Sequence, residues 1–170
     1  AVSIPTGGAW ASAARADALA RVRAMGLPDR RDEYWKFTRP DTLVQAEAPR
    51  AALFDPNEAP MFDGVDRLRI VFVDGVFDAA QSDDLSLEGV SIERLSDAAE
   101  ADIHWAKDLY GVLETRGQDP VARSLAALNT AAATDGIVIH VTGKAAKPIH
   151  LRYLHADETS DAILHHLVKL

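Results

Sequence analysis

From Gly136 onward the chain changes to short apolar stretches, two of them with apolar side chains at every second position, and this change of period constrains the fold more than any other feature. In Gly136–Thr142, Ile137, Ile139 and Val141 fall on one side of an extended chain, with Val138, His140 and Thr142 on the other. Lys147–Leu154 repeats the pattern, setting Ile149, Leu151 and Tyr153 against His150 and Arg152, and a third apolar stretch, Ala162–Leu170, follows the polar turn HADETSD. Short strands in succession, joined by tight turns, point to a sandwich, a barrel or the first coils of a β-solenoid. The last strand, ending HHLVKL, is bare and apolar, and an unpaired strand edge invites association. The expectation is a fragment of a longer protein, or a protein whose last strand is covered by a partner, and the exposed strand offers a route to self-association.

Upstream, the period is different. Trp10, Ala14, Ala18, Leu19, Val22 and Met25 lie at three- and four-residue spacings, which predicts an amphipathic helix over Trp10–Met25, stopped by Gly26 and Pro28. Residues 46–64 hold Pro49, Pro56, Pro60 and Gly64 with little apolar periodicity and read as an extended connection. LRIVFVDGVF, Leu68–Phe77, carries Asp74-Gly75 between two apolar runs, which predicts a hairpin. A short strand is expected over Gly89–Leu95 and a helix over Trp105–Thr115. A second helix is expected to start at Asp119-Pro120, with Val121, Leu125 and Leu128 on one face. Along the chain this gives a helical subdomain (1–45), a connecting segment (46–66), a mixed α/β region (67–135) and a run of strands (136–170): an α+β protein.

RDEYWKFTRP, Arg31–Pro40, concentrates Tyr34, Trp35 and Phe37 among charges. Each large aromatic can bury about 150–250 Å², so the expectation is that Trp35 and at least one of Tyr34 and Phe37 anchor the subdomain, with Arg31, Asp32 and Lys36 in solvent.

Composition removes several functions. With no cysteine there is no disulfide, thiolate metal site or thiol nucleophile. Eighteen basic against twenty-six acidic residues, a net charge of −8, disfavour nucleic acid and anionic membranes as partners. The apolar runs are too short to span a bilayer and AVSIPTGGAW lacks the pattern of a signal peptide, so a cytoplasmic location is expected. Ser91 and Ser124 sit in no nucleophile elbow, and the glycines form no phosphate loop; Gly143-Lys144 reads as a turn. The histidines are His104, His140, His150, His155, His165 and His166, with Asp157 and Glu158 nearby. Adjacent His165 and His166 would point to opposite faces of a strand, and only stacking of coils would bring two of His140, His150 and His165 into register. They read as hydrogen-bonded or solvated residues. No residue is assigned a catalytic, cofactor-binding or metal-binding role, and the chain is not expected to be an enzyme.

Four stretches, taken in order, resemble the SufB/SufD family of iron–sulfur cluster assembly scaffolds, and SufD within it. They are GLPDRRDEYWKFT (Gly26–Thr38), IVFVDGVF (Ile70–Phe77), SLAALNTAAATDGIVIHV (Ser124–Val141) and KPIHLRYL (Lys147–Leu154). Tyr34 stands where polar residues are frequent in that family, and Phe37 where a tyrosine is expected. The resemblance implies that residues 136–170 begin a right-handed parallel β-helix, and that the chain is the N-terminal portion of a scaffold assembling with SufB and the ATPase SufC, on which a transient iron–sulfur cluster is built. The family's cluster-building positions lie beyond this segment, so none is carried over. The other reading is a stand-alone interaction module, docking a partner on the apolar stripe of the first helix; burial of Trp10, Leu19 and Val22 within their own chain would count against it.

Overall fold

The computed structural model describes residues 2–47, 49–116 and 121–170, so the helix start expected at Asp119-Pro120 lies outside the described residues. Helix α1 spans Ala9–Met25 and ends at Gly26, whose φ of 74° lies in the left-handed region that disfavours a β-carbon. The face it buries differs from the expected stripe. Ala11, Arg15 and Ala18 are buried, while Trp10, Ala14, Leu19, Val22 and Met25 are half-buried along the flanks. The reason is the helix it packs on, α4 (Ser124–Ala132), which buries Ser124, Ala127, Thr130, Ala131 and Ala132. Small side chains on both helices let the backbones approach and push larger residues to the rim. Leu125 and Leu128 are likewise only half-buried, so the expected apolar face of this helix is replaced by a face of small residues.

Arg15, 2% exposed, is the exception that this packing needs. Its guanidinium donates to the carbonyls of Pro5 (3.2 Å), Thr6 (2.6 Å) and Ala133 (3.5 Å). Ala133 caps the C-terminus of α4, where carbonyls lack helical partners and a positive charge is favoured. The helix expected over Trp105–Thr115 is broken by Gly111 (φ 74°) into a 3-10 turn, Trp105–Asp108, and a short helix. Counting α2 (Leu95–Glu100), that helix is α3 (Val112–Arg116).

The aromatic stretch corrects the sequence reading. Residues Glu33–Trp35 form a single 3-10 turn, Phe37 is 93% exposed, Tyr34 is 52% exposed and Trp35 is half-buried. Without strand or helix periodicity the three rings cannot share one buried face. Tyr34 instead meets Trp35 edge-on at 5.6 Å, and Arg123 and Lys36 lie over Tyr34 and Phe37. Arg31, Asp32 and Lys36 are exposed as expected.

The strands are β1 (Leu68–Val73), β2 (Val76–Phe77), β3 (Val90–Arg94), β4 (Ile137–Val141), β5 (Ile149–Leu154) and β6 (Leu167–Lys169). Asp74 (φ 52°) and Gly75 (φ 78°) close the expected hairpin between β1 and β2, both central residues taking the positive φ of a type I′ turn. Two three-stranded sheets result, ordered β2-β1-β5 and β3-β4-β6. β5 pairs parallel with β1 along its whole length, β6 pairs parallel with β4, and β3 is antiparallel to β4. From β4 the chain crosses to the other sheet as β5 and returns as β6, each time landing beside an earlier strand. Leu68, Ile70 and Phe72 of one sheet and Val90, Ile137 and Ile139 of the other form one core. The strand expected over Ala162–Leu170 is shorter because the Ile137 N–H donates to the His166 ring (3.0 Å) instead of a ladder carbonyl; upstream only Leu164 bridges, to Asp135.

By internal packing the helices belong to one unit, Ala1–Pro49 with Ser96–Thr134, and the strands to a second, Arg50–Leu95 with Asp135–Leu170. The protein is thus a mixed α+β structure in which each unit is built from two separated stretches of chain.

Candidate functional site

Four of the six histidines make hydrogen bonds that hold the fold together. His104 accepts a hydrogen bond from the Ala106 N–H (3.0 Å) and caps its 3-10 turn. His150, on β5, accepts from Arg67 Nε (3.0 Å), and burial, then the nearby Arg67 and Arg152 charges, hold its pKa below the ordinary value. His166 lies 2.8 Å from the Tyr153 hydroxyl and edge-on to Phe72. Because His166 Nδ1 accepts from Ile137, the neutral ring carries its proton on Nε2, and burial pushes its pKa down. The tyrosine hydroxyl is pushed up, also by burial.

Stacking does not bring the histidines together. His150 belongs to one sheet and His140 to the other, where His140 is level with Lys169 in the β4–β6 register. Among the described residues no three histidine, aspartate or glutamate side chains are grouped to hold a metal ion.

The structure does assemble a serine, a histidine and an aspartate that the sequence reading missed. Ser160 Oγ is 2.7 Å from both His155 Nδ1 and Asp74 Oδ1. The order of the contacts decides their chemistry. A serine hydroxyl has one proton, and here it is directed to Asp74 Oδ1 or the Asp157 carbonyl (2.8 Å), both acceptors, so His155 Nδ1 is left to donate to Oγ. A general base would have to receive that proton. The cluster is instead a tie. Asp74 Oδ1 also accepts the N–H groups of Ala156 (2.9 Å) and Asp157 (3.1 Å), and these bonds, the Ser160 hydroxyl foremost, hold its carboxyl below the usual carboxylate range. The hairpin tip is thereby fastened to the turn that follows β5. The Asp74-Gly75 turn was the one legible signal, since aspartate in a turn forms local hydrogen bonds readily.

Among the described residues the sheets end in single strands. β5 and β6 each lie at the end of their sheet, with no further strand beside them. Tyr153, half-exposed, stacks on Phe72 at 6.1 Å, and Val168 is largely exposed on the other edge. Two parallel-paired edges growing in the same chain order can accept further strands by main-chain hydrogen bonds. The stripe of α1, by contrast, is engaged within its own unit: Trp10 donates to the Ala101 carbonyl (3.0 Å) and meets Tyr110 edge-on at 6.0 Å, while Leu19 and Val22 are half-buried. That partial burial counts against the docking-module reading. Among the described residues no helix is long and apolar enough to cross a membrane.

Residues 8–151 match the family model described as the SufBD protein N-terminal region. The match includes the first three of the four stretches in full and ends within β5. No curated relative matches the sequence.

Proposed function

The chain belongs to the SufBD family by its N-terminal region, and from that premise we propose that it is the opening part of a SufD-like scaffold in the Suf iron–sulfur cluster assembly complex. The family match over residues 8–151 carries this reading. Its partners are homologues of SufB and of the ATPase SufC, its location is the cytoplasm, and the nascent cluster is cargo built elsewhere on the assembly. The segment itself is not catalytic and holds no cofactor of its own; its task is architecture.

In this reading the two sheets are the first coils of a right-handed parallel β-helix. Support comes from the chain path: β4, β5 and β6 alternate between sheets, and β5 and β6 stack in parallel on β1 and β4. A coil that buries apolar residues on the inside and offers its last strands to the next coil is the unit of such a solenoid. Strand addition at the β5 and β6 edges is then how the scaffold continues, and in isolation the same edges drive self-association.

Co-expression with SufB and SufC homologues, followed by size-exclusion chromatography, tests the proposal. Co-elution of the three chains is expected. Separate elution under conditions in which the SufB and SufC homologues bind each other would overturn it.

A further inference from the structure

The outward face of the β1–β5 sheet holds a cleft of about 170 Å³ with an unusual lining. Arg67, Arg69, Arg152, His150 and Gln81 contribute to it, and among the described residues no aspartate or glutamate does, although the chain is acidic overall. Register explains the convergence. Arg69 is level with His150 and Val71 with Arg152, on the face opposite Leu68, Ile70, Ile149 and Leu151. Neighbouring strands lie about 4.8 Å apart, so these polar side chains rise side by side.

The roles within the cleft differ. Arg67 is buried and committed: it donates to the carbonyls of Phe62 and Val65, pairs with Asp63 and donates through Nε to His150 Nδ1. That last bond fixes the neutral imidazole with its proton on Nε2, a donor. Arg69 is paired with Asp83, Nη2 to Oδ1 at 2.9 Å. Arg152 is different, because among the described residues it has neither a hydrogen bond nor an ion pair. Gln81 holds its amide in place through Asp78 (2.8 Å) and keeps one N–H unused. The cleft is therefore rich in donors, with one half-buried guanidinium that no carboxylate pairs with among the described residues.

We propose that this cleft is a binding site for a small phosphoryl oxyanion, with Arg152 as its principal ligand and His150 and Gln81 as supporting donors. Donors arriving from a strand and a loop suit a tetrahedral anion, which accepts in several directions, better than a carboxylate, which presents a two-oxygen edge. The volume holds a phosphate group together with water or a small substituent. Anion binding in this cleft is independent of the scaffold role, so either can fail without the other.

Calorimetric titration of the whole chain with inorganic phosphate, glycerol 3-phosphate and acetate tests it. Saturable binding of at least one phosphate compound is expected, with weaker acetate binding, and the tighter of the two phosphates identifies the free ion or an ester as the source. Arg152→Gln should weaken binding by about tenfold or more. Arg152→Lys should retain part of it, and Arg50→Gln, at a surface arginine paired with Glu158, should leave it unchanged. Circular dichroism establishes that each variant is folded, and His150→Gln supplies a second substitution should Arg152→Gln not fold. Absence of saturable phosphate binding, equal affinity for acetate, or undiminished binding by a folded Arg152→Gln protein would each overturn the proposal.

Discussion

Arg31–Pro40 and Leu68–Phe77 are equally long stretches, both rich in aromatics and both part of the family resemblance, yet one lies in solvent and the other in a core. Phe72 is 1% exposed and meets Phe77 edge-on and Tyr153 in a stack, whereas Phe37 is 93% exposed under a lysine. The difference lies in period, not hydrophobicity. Leu68, Ile70 and Phe72 alternate and therefore share a face that one opposing sheet can cover. Tyr34, Trp35 and Phe37 occupy a 3-10 turn and its exit, where consecutive side chains diverge. Aromatic content identifies a stretch; only a repeating geometry buries it.

The comparison can be broken most directly at Phe72. Phe72→Ala is expected to cost about 3–5 kcal/mol, read from urea unfolding, and a loss no larger than that of an exposed residue would remove the distinction. Gly136→Ala comes next, at about 1–3 kcal/mol, because a β-carbon there would overlap the backbone carbonyl of His165. Trp35→Ala, at a half-buried ring, should cost about 1 kcal/mol; a loss matching Phe72→Ala would restore the anchor that the sequence suggested.

The His166 contact supplies a smaller effect with a defined sign. Its folded-state pKa lies below the ordinary 6.5, so the unfolded chain binds the proton more readily. The stabilisation is complete above about 6.5 and is lost as pH falls from there towards the folded-state value, with His150 acting in the same direction. His166→Gln should flatten this fall in the urea midpoint; an unchanged pH profile would show that the ring does not sense folding. Smallest of all, Phe37→Ala should stay within about 0.5 kcal/mol of the parent.

Much of the β architecture was legible because strand periodicity and turn chemistry are local. The Asp74-Gly75 hairpin, the strand over Val90–Arg94 and the alternation of β4 and β5 all follow from neighbours in the chain. The helical unit was less legible. Its helix α1 and the stop at Gly26 were visible, but the buried face was not, because apolar spacing favoured Leu and Trp while close helix packing selected Ala11, Ala18, Ala127 and Ala131. Arg15 reads as a surface residue until the end of α4 is brought beside it. Ser160 and His155 are unremarkable in sequence and meet Asp74 only because β5 pairs with β1.

The family, and with it the role proposed for the chain, was determined by the sequence, since motif order and spacing are properties of the chain itself. So were the absence of thiol chemistry and the acidic charge. Tertiary structure alone decided which aromatics are buried, that each unit draws on two distant stretches, and that Arg69, His150 and Arg152 line one cleft. These depend on contacts between residues far apart in the chain, and local periodicity carries no information about which distant surface will cover a given face.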